Sequence, residues 1–154
     1  PSWDRKMVPV NRFVVLTDWG SNAVLDKETG LVWEKSPSIP LVLWYSARSH
    51  CHNNTTGNRL GWRLPSIHEL QSLIDPSVAS PGPFLPVGHP FLNVQSGTGD
   101  PRLGPGYWSA TTETDSPTLT WVVRFDIFGE QGSNRTSAGN YVWCVRGGNS
   151  ADTY

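Results

Sequence analysis

Strand-like sequence lies at both ends of this chain and helical sequence only in its middle, an order that fits few architectures. RFVVLT at 12–17 is a short β-rich run. AVLDKETGLVWEKS reads as a hairpin, with strands at 23–26 and 31–34 around the turn Lys27-Glu28-Thr29-Gly30. In LVLWYSARSHCH, Trp44, Ala47 and Cys51 recur at i, i+3 and i+7, one face of a helix, with Pro40 suited to its start. A second helix follows WRLP: in SIHELQSLID, Ser66 and Glu69 form a capping box, Ile67, Leu70, Leu73 and Ile74 an apolar stripe, and Pro76 ends it. Residues 75–106 are rich in Pro and Gly and read as an ordered, irregular connection. YWSATT, LTWVVRFDIF and NYVWCVR then return to β. The pattern predicts one α+β domain over 1–154, in which the two ends of the chain share a sheet.

Composition narrows the function. A net charge of -1, with Lys and Arg scattered, argues against an electrostatic nucleic-acid binder. No apolar run approaches the length of a membrane span, so no direct membrane insertion is expected. The opening PSWDRKM shows no secretion signal. Eight tryptophans in 154 residues supply material for a core, a binding surface, or both.

Catalytic and metal chemistry find little support. Cys51 and Cys144 lie far apart with no metal-binding spacing, and fit either a structural disulfide or two buried thiols. His50 and His52 flank Cys51, but neighbours on a helix point in different directions, which is poor geometry for ligation or for a thiol–base pair. Glu69 reads as a cap, Asp75 as solvated, His68 as exposed and His89 as an isolated loop residue. The glycines at 97, 99, 104 and 106 do not precede a helix, so they make no phosphate cradle. Loop carboxylates such as Asp100 and Asp115 form no dense cluster for calcium. Sequons occur at Asn53, Asn54 and Asn134. No cofactor is expected, and the chain reads as non-enzymatic.

Binding is better supported. In WVVRFDIF, Trp121, Val123, Phe125 and Ile127 are all apolar, and alternation sends them to the core. Val122, Arg124, Asp126 and Phe128 share no character, and GEQGSNRTSAGN follows as a polar loop. Short polar residues with occasional aromatics over a rigid scaffold have the composition of a recognition surface; an ordinary solvated face is the alternative.

Taken in order, AVLDKETGLVWEKSP, the Trp44/Ala47/Cys51 helix, GWRLPSIHELQSLID, GYWSATT, WVVRF and YVWCVRGG resemble the Lcl C-terminal-like domain family of bacterial surface proteins. The resemblance covers about residues 12–148. It implies a C-type lectin-like fold, with two helices packed on antiparallel sheets, long irregular loops and a Cys51–Cys144 disulfide. Similar proteins include polysaccharide-binding adhesins. They also include variable proteins of diversity-generating retroelements, whose mutated positions alternate with scaffold residues.

Carried over, the scaffold is Tyr107, Trp108, Ser109, Ala110, Trp121, Val123, Phe125, Val142, Cys144, Val145, Arg146 and Gly147. The implied variable, ligand-binding positions are Glu113, Asp115, Pro117, Thr118, Leu119, Val122, Arg124, Asp126, Ile127, Phe128, and the loop holding Ser133, Asn134, Arg135, Ser137 and Asn140. If Ile127 is variable, the strand must end or bulge after Phe125. Replacing Arg124, Asp126 and Phe128 together is then expected to leave the fold intact. The sequence lacks the Glu-Pro-Asn, Gln-Pro-Asp and Trp-Asn-Asp motifs of calcium-dependent lectins, and it lacks spare cysteines for formylglycine-generating chemistry. The expectation is a non-enzymatic, diversified surface that binds a protein or glycan on another cell. It would be displayed outside a prokaryotic cell or on a virion; a fixed-specificity adhesin for polysaccharide or glycosaminoglycan is the alternative.

Overall fold

The computed structural model describes residues 9–79, 82–96, 104–127 and 130–148. After one helical turn, α1 (Pro9–Arg12), come β1 (Phe13–Val15), β2 (Ala23–Asp26), β3 (Leu31–Glu34) and β4 (Ser38–Val42). Helices α2 (Trp44–His52) and α3 (Ile67–Gln71) follow, then β5 (Tyr107–Thr112), β6 (Leu119–Val123), β7 (Glu130–Asn134), β8 (Asn140–Val142) and β9 (Val145–Arg146). One sheet has the order β1-β2-β3-β9 and the other β4-β8-β5-β6-β7. All pairs are antiparallel except β5 with β8. This is the α+β, C-type lectin-like arrangement that the sequence implied, and the β3–β9 pair brings the two ends of the chain into one sheet.

The hairpin forms where expected, because its turn closes on itself. Asp26 Oδ1 accepts from the Glu28 N–H at 3.0 Å, Asp26 Oδ2 from the Thr29 hydroxyl at 2.9 Å, and Gly30 donates to the Asp26 carbonyl at 2.7 Å. The capping box of α3 is also present: Ser66 Oγ accepts from the Glu69 N–H, and Glu69 Oε1 accepts from the Ser66 N–H. That helix is shorter than predicted, ending at Gln71 well before Pro76. Leu73 and Ile74 continue in tight turns that donate three residues back, and Leu73 stays buried.

Pro40 does not open α2. It sits inside edge strand β4, which pairs with β8 through Ser38↔Val142 and Val42↔Asn140 with an irregularity between. An edge position and a break in register suit a residue without an N–H. The run NYVWCVR serves two sheets: β8 joins the five-stranded sheet and β9 the four-stranded one. At that crossing Cys144 is disulfide-bonded to Cys51 of α2, with Cα atoms 5.4 Å apart.

Two cores lie on opposite sides of the β8-β5-β6 centre. Tyr107, Val123, Trp143 and Val145 belong to one, with Phe13, Trp33, α3, Leu85, Phe91 and Phe125. Their chain neighbours Trp108, Val122, Val142 and Cys144 belong to the other, under α2, with Trp44, Ala47 and Trp62. Successive residues thus alternate between two apolar layers rather than between core and solvent. The expectation that the Val122 side of this strand faces outward is therefore corrected: Val122 is fully buried.

Candidate ligand-binding surface

β6 ends at Val123, and residues 125–127 form bends, so the chain leaves the strand even before Phe125. The early stop resolves the conflict over Ile127, which is half-buried outside any strand. It does not expose the neighbouring positions. The Pro/Gly-rich connection folds back over them: the Phe84 N–H donates to the Phe125 carbonyl at 2.7 Å, and the Asp75 N–H to the Phe84 carbonyl at 2.6 Å. Beneath it, Arg124 and Asp126 pair bidentately, Nε to Oδ1 at 2.9 Å and Nη2 to Oδ2 at 2.5 Å, and both are buried. Placed outward by sequence pattern, these two residues form an interior ion pair. The expectation that they can be replaced without loss of fold is corrected accordingly, and Phe128 lies outside the described residues.

Asn140 is also interior. Its Oδ1 accepts from the Gly106 N–H at 2.9 Å and its Nδ2 donates to Ser133 Oγ at 2.9 Å, so it ties β8 to β5's approach and to β7. Ser133 and Asn134 were expected in a loop. Instead they belong to β7, opposite Thr120 and Leu119, because backbone pairing along the open side of β6 needs no particular side chains.

The positions that remain outward form a compact set. Asp115, Pro117, Thr118 and Ser137 are exposed, and Glu113, Leu119, Ser133 and Arg135 are half-buried. Backbone hydrogen bonds hold the two connections together. Glu113 donates to the Leu119 carbonyl at 3.1 Å, Arg135 donates to the Thr118 carbonyl at 3.2 Å, and Trp44 donates to the Arg135 carbonyl at 3.3 Å. The last bond brings the start of α2 against the β7–β8 loop. Trp44 is fixed by its Nε1 donating to the Ser109 carbonyl at 2.9 Å, and the guanidinium carbons of Arg48 and Arg135 each lie 5.0 Å from its ring centroid.

This neighbourhood holds residues that the sequence reading missed. Ile39, Leu41, Leu43 and Tyr45 are 41–53% exposed, and a Cβ on Gly139 would sit 3.2 Å from that of Leu41. They form an apolar border to the polar loops. The sequence reading put 41–52 in one helix with Pro40 at its start, whereas Ile39 and Leu41 lie on edge strand β4, Leu43 caps α2 and Tyr45 is on its first turn. A polar concavity of about 360 Å³ lies between Asp18, Trp19, Gly20 and Asn22 on one side and Asn54–Asn58 on the other.

The groups with shifted pKa lie elsewhere. Burial raises the carboxyl of Glu34, although the Cys144 N–H and Asn54 Nδ2 both donate to it. Burial also raises the Tyr107 hydroxyl, which accepts from the Gln95 N–H, and lowers His89. Asp100, considered for calcium, lies outside the described residues.

Residues 22–146 match the family model of the Lcl C-terminal domain. A search among curated proteins finds no match to the chain.

Proposed function

The chain belongs to the Lcl C-terminal domain family, and from that premise we propose that it is a non-enzymatic ligand-binding domain whose contact surface joins the β5–β6 and β7–β8 connections. The supporting observation is the bonding of Thr118 to Arg135 and of Arg135 to Trp44. It fixes the base of the two connections while Asp115, Pro117, Thr118 and Ser137 point into solvent. A surface of this kind tolerates exchange of its side chains, because few of them carry the fold. We therefore read the protein as a variable protein of a diversity-generating retroelement. Its ligand is a protein or glycan on another cell, met from outside a prokaryotic cell or from a virion. Val122, Arg124, Asp126 and Asn140 take no part in contact; they are interior.

A display library randomised at Asp115, Pro117, Thr118 and Ser137 tests this reading. Most clones should remain protease-resistant, and selection on an arbitrary globular protein such as hen lysozyme should yield binders. A library at Val122, Arg124 and Asp126 should be mostly protease-sensitive. Collapse of the first library would overturn the reading. At the level of the gene, a near-copy of its 3′ end differing at adenines should lie beside a reverse transcriptase.

Arg48 and Arg135 on Trp44 favour a second reading, a fixed adhesin for sulfated or carboxylated polysaccharide. It requires salt-sensitive retention on heparin that is lost in Arg48→Ala and Arg135→Ala, and no gene copy.

A further inference from the structure

At the far end of α2, the crossing of β8 into β9 gathers metal-ligating groups that the binding surface does not use. One ligand atom each from Glu34, His50 and Cys144 lies within 4.8 Å of the others, and the Cys144 sulfur is bonded to that of Cys51. Sequence adjacency of His50 and Cys51 suggested divergence, and their burial does differ: Cys51 is fully buried and His50 exposed. The fold nevertheless brings strand β3 and the β8–β9 crossing to His50. Glu34 is already held on both oxygens, by Asn54 Nδ2 at 2.6 Å and the Cys144 N–H at 3.0 Å.

We propose that reduction of the Cys51–Cys144 disulfide unmasks a zinc site made of both thiolates, a His50 nitrogen and a Glu34 oxygen. A small-molecule dithiol breaks the S–S bond and leaves as its own cyclic disulfide; its two electrons and two protons pass to Cys51 and Cys144. Zn²⁺ then displaces both thiol protons. Two thiolates at about 2.3 Å from a tetrahedral ion sit roughly 3.7 Å apart, and the nitrogen and oxygen need about 2.0–2.2 Å. Glu34, His50 and Cys144 already lie within 4.8 Å of one another, and Cys51, its Cα 5.4 Å from that of Cys144, would have to swing its freed side chain toward them to complete that geometry. The donors from Asn54 and Cys144 act as the outer shell that orients the carboxylate. Burial disfavours a charged Glu34, and a bound cation would offset that cost. The ion would hold α2 to the β8–β9 crossing where the disulfide holds it in the oxidised chain. This inference is independent of the ligand-binding reading, since it concerns no loop residue.

The test is titration of Co(II) into the full chain after reduction by dithiothreitol and its removal under nitrogen. The reduced protein should bind one equivalent with intense near-ultraviolet thiolate-to-cobalt absorption, and zinc should displace it. The oxidised protein should show no such band. His50→Ala, an exposed position that leaves the disulfide able to form, should weaken binding by about tenfold or more, as should Glu34→Gln. Zinc should also raise the Tm of the reduced chain by roughly 5 °C. Absence of the charge-transfer band, equal affinity in His50→Ala, or a reduced chain whose melting ignores zinc would each overturn the site.

Discussion

Arg124 and Asp126 are the residues at which local pattern and tertiary structure part. In WVVRFDIF, Arg124 and Asp126 fall two residues apart, opposite Trp121, Val123 and Phe125, and look like part of an outward face. In the fold the two charges neutralise one another under the Pro/Gly connection, at 2% and 6% exposure. Removing one partner strands a buried charge, so Arg124→Ala should destabilise by about 3–5 kcal/mol, read from urea unfolding. Adding Asp126→Ala should cost much less than a second such step, because the stranded charge is gone. A cost below about 1 kcal/mol for Arg124→Ala would mean that the pair is solvated. His89 gives a residue-scale prediction in pH. Its Nδ1 accepts from the Phe91 N–H at 3.1 Å, and burial lowers its pKa below 6.5. The unfolded chain therefore takes up the proton first as pH falls. The stability contribution of neutral His89 is complete above pH 6.5 and declines below it, down to the folded pKa. The urea midpoint should fall between pH 7.5 and 5.5 by more in the natural chain than in His89→Gln, measured under matched salt.

At the scale of elements, the strap formed by residues 82–86 determines which side of the 124–126 segment is interior. Gly82 has φ +85°, and a Cβ there would lie 2.9 Å from the Phe125 carbonyl oxygen. Gly82→Ala therefore faces an unfavourable backbone conformation and a contact with rigid backbone together, and should cost about 2 kcal/mol. The matching measurement is protection of the Phe84 amide against exchange, which should fall in the variant. The strap also explains what was legible in the sequence. The β2–β3 hairpin and the α3 cap were, because Asp26, Gly30, Ser66 and Glu69 act on residues within four positions of themselves. β4 and the burial of Arg124 were not, because each depends on a segment far along the chain; β7 was not, because its sequence has no apolar alternation, although it pairs with the strand just before it. Asp26 shows both levels at once. Its turn bonds were readable, while its buried pairing with Arg12 at 2.8 Å was not, nor was the bond from Arg12 to the Ser72 carbonyl. For the candidate surface, Asp115, Pro117, Thr118 and Ser137 were legible because turn chemistry keeps such residues outside. The apolar border of Ile39, Leu41, Leu43 and Tyr45 was not, since the exposure of edge strand β4 and of the start of α2 is decided by what fails to cover them.

For the whole molecule, the decisive arrangement is a shared central sheet with an apolar layer on each face. β5, β6 and the end of β8 with the residue after it contribute neighbouring residues to both layers: Tyr107 and Trp108, Val123 and Val122, Trp143 and Val142. Neither core can open without separating these strands from the other, and the Cys51–Cys144 bond ties α2 to the crossing between β8 and β9 inside the second core. Unfolding should accordingly be a single cooperative transition. The connections at 114–118 and 135–139 bear no such double load. In native-state hydrogen exchange, amides of β5, β6 and β8 should exchange only with the free energy of global unfolding. Amides in those two connections should exchange through local opening, orders of magnitude sooner. Separate exchange energies for Tyr107 and Trp108, or for Val122 and Val123, would show that the layers open independently and would remove the physical basis for a rigid base under exchangeable loops. Agreement would give that tolerance a cause: replacing Asp115, Thr118 or Ser137 would perturb only segments that open on their own, while the free energy that keeps the chain folded would lie in the strands shared by the two cores.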